Sequence, residues 1–232
     1  MKYILWLSIV LIFICPCCVF AQEDLISGSV SGILIDADSG KIIYEKNINE
    51  RVAVASMTKM VGQIIIMEEI EKGNIKWDDV ITVSKNAADM GGSQIYIEQG
   101  EKITVRDLMK GISMASGNDA TVQMAEVISG TEARFVKRMN KKVKELGLKN
   151  TKFVNSTGLD EDGHYSSAYD MAMIARELVV KHPGILEFSS LYEDYLRENT
   201  SNKFWLVNTN KLVCKYFLCY NYTWKGCVLN EV

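Results

Sequence analysis

At 232 residues, with 48% hydrophobic and 24% charged residues, the chain has an ordinary globular composition and length for one sizeable core or two small ones. Its net charge of -3 is made of interspersed signs with no Lys/Arg block, which excludes a polyanion-binding surface and so a nucleic-acid partner. Residues 1–21 read as an export signal: Lys2 supplies the positive start, Tyr3 to Phe20 is uncharged and apolar, and Val19-Phe20-Ala21 offers a signal-peptidase site. An uncleaved membrane anchor is the rival reading. Pro16 and the crowded Cys15, Cys17 and Cys18 make that run a poor permanent helix and favour cleavage.

After the signal, Ser31–Asp36 and Lys41–Glu45 are short β-rich runs joined by Ala37-Asp38-Ser39-Gly40, a hairpin with glycine where positive φ is wanted. From Met57 to Ile70 the apolar residues point in nearly every direction around a helix, so that helix is expected to be buried on most sides, with Gly73-Asn74 as its stop. Val80–Val83 reads as a short strand and Met90–Ser93 as a loop. Thr104-x-x-Asp107 caps a helix carrying Leu108, Met109 and Ile112; a second runs from Asp119 to Ile128. Thr131 caps a third, with Phe135, Val136, Met139, Val143 and Leu146 as its stripe, and Ser167-x-x-Asp170 opens a fourth that stops at Lys181-His182-Pro183-Gly184. Lys203–Val207 returns to strand-like composition. The mature chain has no cysteine before Cys214; Cys214, Cys219 and Cys227 form no C-x-x-C pair and have no metal-site company.

Chemistry concentrates at the start of the buried helix. Ser56 and Lys59 are three residues apart and therefore share a face, which brings the amine near the hydroxyl. Burial disfavours a charged amine, so Lys59 is expected to take the proton of Ser56 and leave it an activated nucleophile. The plainer alternative is an N-cap serine followed by a surface lysine. Ser116-Gly117-Asn118 lies between two helices, where the glycine lets a hydroxyl and an amide turn into one cleft. The hydroxyl could pass a proton to a leaving amine, and the amide could hold a substrate amide. A helix-helix turn is the alternative, and Ser84-Lys85-Asn86 matches the same S-x-N pattern. His164 falls in a polar loop and His182 at a helix end, where a structural or solvent role is expected of both.

The order Ser56-Met57-Thr58-Lys59, then Ser116-Gly117-Asn118, resembles the paired motifs of penicillin-recognising serine enzymes. Within them the likeness is to the D-alanyl-D-alanine carboxypeptidases, the low-molecular-weight penicillin-binding proteins, particularly those of spore-forming bacteria. Gly91–Gln94, Ala115–Ala120, Asn155–Leu159, His164–Asp170 and Asn208–Leu212 are similar to that family as well, so the resemblance spans about Val30 to Val213 and selects Ser116 over Ser84. It implies an α+β penicillin-recognising fold, a helical subdomain beside an antiparallel sheet. It also implies Ser56 as nucleophile toward a peptidoglycan stem peptide ending in D-Ala-D-Ala, Lys59 as base, Ser116 as proton relay and Asn118 as substrate clamp. β-Lactams are then inhibitors, and no metal or cofactor is implied.

The sequence departs from the family after Val213. A K-T-G strand, which binds the substrate carboxylate and supplies an oxyanion N–H, is expected some residues after Asn208-Thr209-Asn210, and no Lys-Thr-Gly is present. Residues 22–213 are thus read as a partial catalytic domain and 214–232 as an aberrant tail of the kind a frameshift leaves. On this reading only the first two strands of the sheet are present, the Ser56 helix lacks the sheet face it packs on, and the product folds poorly. Membrane attachment could come only through an uncleaved signal. An inactive truncated product that binds peptidoglycan or penicillin weakly is the alternative to an active exported enzyme. A class A β-lactamase is disfavoured because no E-x-x-L-N follows Asn118, and a Ser-His-Asp hydrolase because no G-x-S-x-G occurs.

Overall fold

The computed structural model describes residues 25–211 apart from 199, residue 213, and the strand Gly226–Val228. The signal segment lies outside the described residues, as do Cys214 and Cys219. Strands β1 (Gly32–Asp36) and β2 (Ile42–Lys46) form the expected hairpin, turned at Gly40 with φ +72°. A 3₁₀ turn, Ala55–Thr58, leads into α1 (Lys59–Glu71), which ends where Gly73 takes φ +73°. Then follow β3 (Val80–Thr82), α2 (Lys85–Ala88), β4 (Lys102–Thr104), α3 (Val105–Ala115), α4 (Asn118–Ser129), α5 (Glu132–Glu145), α6 (Ala168–Lys181), α7 (Leu186–Ser189), β5 (Glu193–Leu196), β6 (Phe204–Val207) and β7 (Gly226–Val228).

The helix starts are built by side-chain caps. Ser84, Thr104, Thr131 and Ser167 each accept a backbone N–H three residues on, satisfying donors that the first turn leaves unpaired. Around α1 the packing is helical on all sides: α4, α5 and α6 surround it, and Gly62 lets the Phe135 ring of α5 approach closely. Val61, Ile64, Ile65, Ile66 and Met67 are buried there, each stabilising by about 1.5–3 kcal/mol relative to exposure.

Two expectations about the sheet change. The sheet holds three strands among the described residues, in the order β2-β1-β7, because β7 from the tail pairs antiparallel with β1 through Leu34↔Val228 and Ile35↔Cys227. The helix lying on it is α6, through Ala172 against Ile33 and Ile35, with Met173 shared between this small cluster and the main core. The Ser56 helix therefore rests on other helices, and the main core depends little on how many strands the sheet has. The remaining strands make two ribbons, β3-β4 and β5-β6; the charged stretch Glu193–Leu196 is a strand through pairing with Phe204–Val207. Among the described residues no helix is long and apolar enough to cross a membrane.

Candidate active site

Ser56 sits in the 3₁₀ turn just before α1 and not at the N-cap of the helix. The turn opens on Ala55 at φ +43°, an uncommon conformation for a residue with a side chain. Lys59, the first residue of α1, is 4% exposed, and its Nζ donates to Ser56 Oγ at 2.8 Å and to the Thr157 carbonyl at 2.7 Å. Between them Thr58 is fully buried, its Oγ1 2.8 Å from His164 Nε2.

Ser116 ends α3 in the left-handed region at φ +56°, and its buried Oγ has no hydrogen-bond partner among the described residues. A buried hydroxyl left unpaired is uncommon enough to call for an explanation. Gly117 is required next, since a Cβ there would lie 2.9 Å from Asp119 Oδ1 and 3.4 Å from the Gly111 carbonyl. Asn118 opens α4; its backbone N–H donates to Ser93 O at 2.7 Å and its Nδ2 to Gly91 O at 2.8 Å. That leaves Oδ1 and the second Nδ2 hydrogen for another partner. The other S-x-N is used differently: Ser84 Oγ caps α2 by accepting from Ala87 N, and Asn86 donates to Glu126 at the surface.

Two loops join these pieces. Asn155–Leu159 is held by Glu132, whose Oε1 accepts from both Ser156 N and Ser156 Oγ, and by Asn155 Oδ1, which accepts from Gly158 N. Gly158, at φ +85°, presses on the Ala55 carbonyl so closely that no side chain could be added. The loop at Gly92, at φ +83°, also lies close: a Cβ there would meet Asn118 Nδ2 at 2.5 Å, with Leu159 Cδ2 in ordinary contact at 3.6 Å. Residues 55–59, 91–93, 116–119 and 155–159 thus meet as one surface. Beneath it the buried Asp119 carboxylate accepts from Ile95 N, Ile97 N and its neighbour Ala120 N. Thr209 N donates to the Met114 carbonyl, docking the Asn208-Thr209-Asn210 stretch two residues before Ser116. Among the described residues no group of three or more His, Cys, Asp or Glu side chains is placed to hold a metal ion.

His164 makes a structural contact, and makes it with the motif itself, through Thr58 Oγ1. Burial pushes its imidazole below the ordinary value of 6.5, against the opposing charges of Glu161 and Asp160. The Thr157 carbonyl, Gly158 and His164 carried no chemical signal in the sequence beyond lying in family-like stretches. A backbone carbonyl has no side-chain signature, and a glycine declares a close approach only once its neighbour is known.

The family described as D-alanyl-D-alanine carboxypeptidase matches this chain over residues 20–225. The chain is 58% identical over 203 residues to D-alanyl-D-alanine carboxypeptidase DacF of Bacillus subtilis, covering 85% of this chain and 52% of that one. Among solved structures it is similar to penicillin binding protein 5 from Haemophilus influenzae, at TM-score 0.76 and 34% identity over 82% of this chain and 54% of the other. It is similar also to penicillin-binding protein D2 from Listeria monocytogenes in its cefotaxime-bound form, at TM-score 0.72 and 28% identity over 83% and 76% of the two chains. The chain spans about half the length of the curated relatives it matches. With helices packed around the buried helix α1 and a small antiparallel sheet alongside, it has the α+β fold of these enzymes and belongs to the D-alanyl-D-alanine carboxypeptidase family.

Proposed function

We propose that this chain carries the acyl-transfer chemistry of a serine-type D-Ala-D-Ala carboxypeptidase, with Ser56, Lys59, Ser116 and Asn118 as its working residues. The observation that carries the reading is the 2.8 Å contact between Lys59 Nζ and Ser56 Oγ at a buried lysine. An amine so placed, once neutral, takes the hydroxyl proton as the oxygen attacks the carbonyl of the penultimate D-alanine. The backbone N–H of Ser56, in the 3₁₀ turn that leads into α1, is assigned to the developing oxyanion, with the helix dipole behind it. The tetrahedral intermediate collapses to a Ser56 ester and expels the last D-alanine, whose amine receives the proton from Lys59 through the Ser116 hydroxyl. Asn118 holds the substrate amide through Oδ1 and its remaining Nδ2 hydrogen. Water then cleaves the ester and restores Ser56.

The same reading makes the protein extracytoplasmic, exported by residues 1–21, with residues 22–213 as the catalytic part and 214–232 as a tail. β-Lactams acylate the same serine and then stay. A second reading, binding without turnover, is favoured by one observation: no Lys-Thr-Gly stands in the sequence to hold the substrate carboxylate. Two measurements separate the readings. Intact mass after exposure to a fluorescent penicillin, beside a Ser56→Ala control, reads acylation; D-alanine release from a peptide ending in D-Ala-D-Ala reads turnover. Acylation and release that both vanish in Ser56→Ala are expected for the enzyme. Acylation without release marks the binder, and a folded wild type that is never acylated overturns the assignment of Ser56.

A further inference from the structure

The reaction outlined above makes no use of His164, yet this ring joins the loop that contacts Lys59 to the middle of the Ser56–Lys59 turn. Its Nδ1 lies 3.3 Å from the backbone nitrogen of Val154, which can only donate, so Nδ1 carries a lone pair and the proton resides on Nε2. The Nε2 hydrogen is then directed at Thr58 Oγ1, 2.8 Å away. Phe153 backs the ring at 5.3 Å between centroids, and the paired backbones of Lys152 and Tyr165 close the loop at its base. The loop thereby grips the turn three times: Gly158 on Ala55, His164 on Thr58, and the Thr157 carbonyl on Lys59.

We infer that His164 is a positioning residue for acylation, its Nε2-protonated neutral ring holding Thr58 and through it the spacing of Ser56 and Lys59. Protonation would put a hydrogen on Nδ1 facing the Val154 N–H, two donors in one contact, and release that side of the latch. The charged groups around the ring are Asp160 and Glu161 of its own loop, and Lys152, whose Nζ lies 3.6 Å from where a Gly163 Cβ would stand. Arg51 stacks 4.7 Å over the neighbouring Tyr165, and Lys59 adjoins Thr58 in the turn. The two carboxylates favour the charged ring but are outweighed by burial. The latch is therefore closed at neutral pH and opens only as pH falls through the lowered value, below the ordinary 6.5.

This inference rests on the acyl-transfer reading for its kinetic half, and the test separates the two. ¹⁵N-histidine NMR of the full chain, with His164→Gln assigning the resonance, reads tautomer and titration without any reaction. Acylation rates with a fluorescent penicillin, over roughly pH 4.5 to 8 so as to bracket histidine titration, read the consequence. Expected are an Nε2–H tautomer titrating below 6.5 and perturbed by Thr58→Val, and an acid-side fall in the wild-type rate steeper than that of His164→Gln, where only Lys59 is left to titrate. His164→Ala is expected to lose about fivefold to tenfold in rate at neutral pH, the worth of one hydrogen bond. Glutamine, able to donate to Thr58 and accept from Val154, is expected to restore most of it. An Nδ1–H tautomer, a titration indifferent to Thr58→Val, or superimposable rate profiles of wild type and His164→Ala would overturn the role. If the wild type is not acylated at any pH, the acyl-transfer reading fails and the NMR result alone decides the contact.

Discussion

Gly158→Ala is a single-atom test of how the turn at Ser56 is held. The added Cβ would fall far inside 3.0 Å of the Ala55 carbonyl and 3.0 Å from Ser56 N, where ordinary contact begins at 3.4 Å. The residue also sits at φ +85°, a conformation that costs a residue with a Cβ about 1–3 kcal/mol. Flexible side chains cannot absorb the clash, because the atoms met are backbone, so the two segments must part by more than an ångström. Thr157 then carries its carbonyl away from Lys59, and Ala55, already at positive φ, shifts Ser56. A displacement of that size costs on the order of 100-fold in a reaction that depends on near-attack geometry. The assay is the rate of acylation by a fluorescent penicillin read by intact mass, with far-UV circular dichroism and a thermal melt beside it. A fall of roughly 100-fold in a protein that still melts cooperatively is expected. A Gly158→Ala protein acylated within twofold of wild type, with an unchanged melting temperature, would show that the loop does not brace the turn.

Asp119→Asn turns an acceptor for three N–H groups into a side chain with a donor among donors, a buried mismatch worth about 2–4 kcal/mol. Lost amide protection at Ile95 and Ile97 in hydrogen exchange is the expected result, and unchanged protection there would contradict the clamp. For Glu69, burial alone would raise the carboxyl, but hydrogen bonds from Asn74 and Arg138, with the charges of Arg138 and Lys72, outweigh it and hold the group below 4.5. A depressed carboxyl contributes stability above its unfolded value and loses it as pH falls through the folded one. Glu69→Gln is thus expected to lower stability by about 0.5–1 kcal/mol at neutral pH, given the exposure of Arg138, with the deficit closing as pH falls through the lowered carboxyl value. A deficit independent of pH would remove the ion pair from the account.

Much of the molecule is local, and local chemistry is legible. The capping residues Thr104, Thr131 and Ser167 each open the helix expected of them, and the apolar run from Met57 to Ile70 becomes a buried helix, because these signals act within a turn or two of the chain. The runs Val80–Val83 and Lys203–Val207 also supply strands β3 and β6, but other short elements were silent. Helix α2 and strands β4 and β5 are three or four residues each, too brief for a period to show, and exist through partners such as Tyr195↔Trp205.

The candidate site divides along the same line. Residue order alone brought Ser56 and Lys59 onto one face, since three residues make one helical turn whatever surrounds it. What surrounds that turn was decided in three dimensions. The Thr157 carbonyl reaches Lys59 from 98 residues away and His164 reaches Thr58 from 106, contacts that no spacing in the chain announces. The sheet shows the same dependence: β7 joins β1 because a bare strand edge offers N–H and C=O groups that any suitably placed segment can pair. Side-chain type and short-range periodicity set the helices and the nearest neighbour of Ser56. The packing of distant backbone, where close approach is limited by a single Cβ, set the rest.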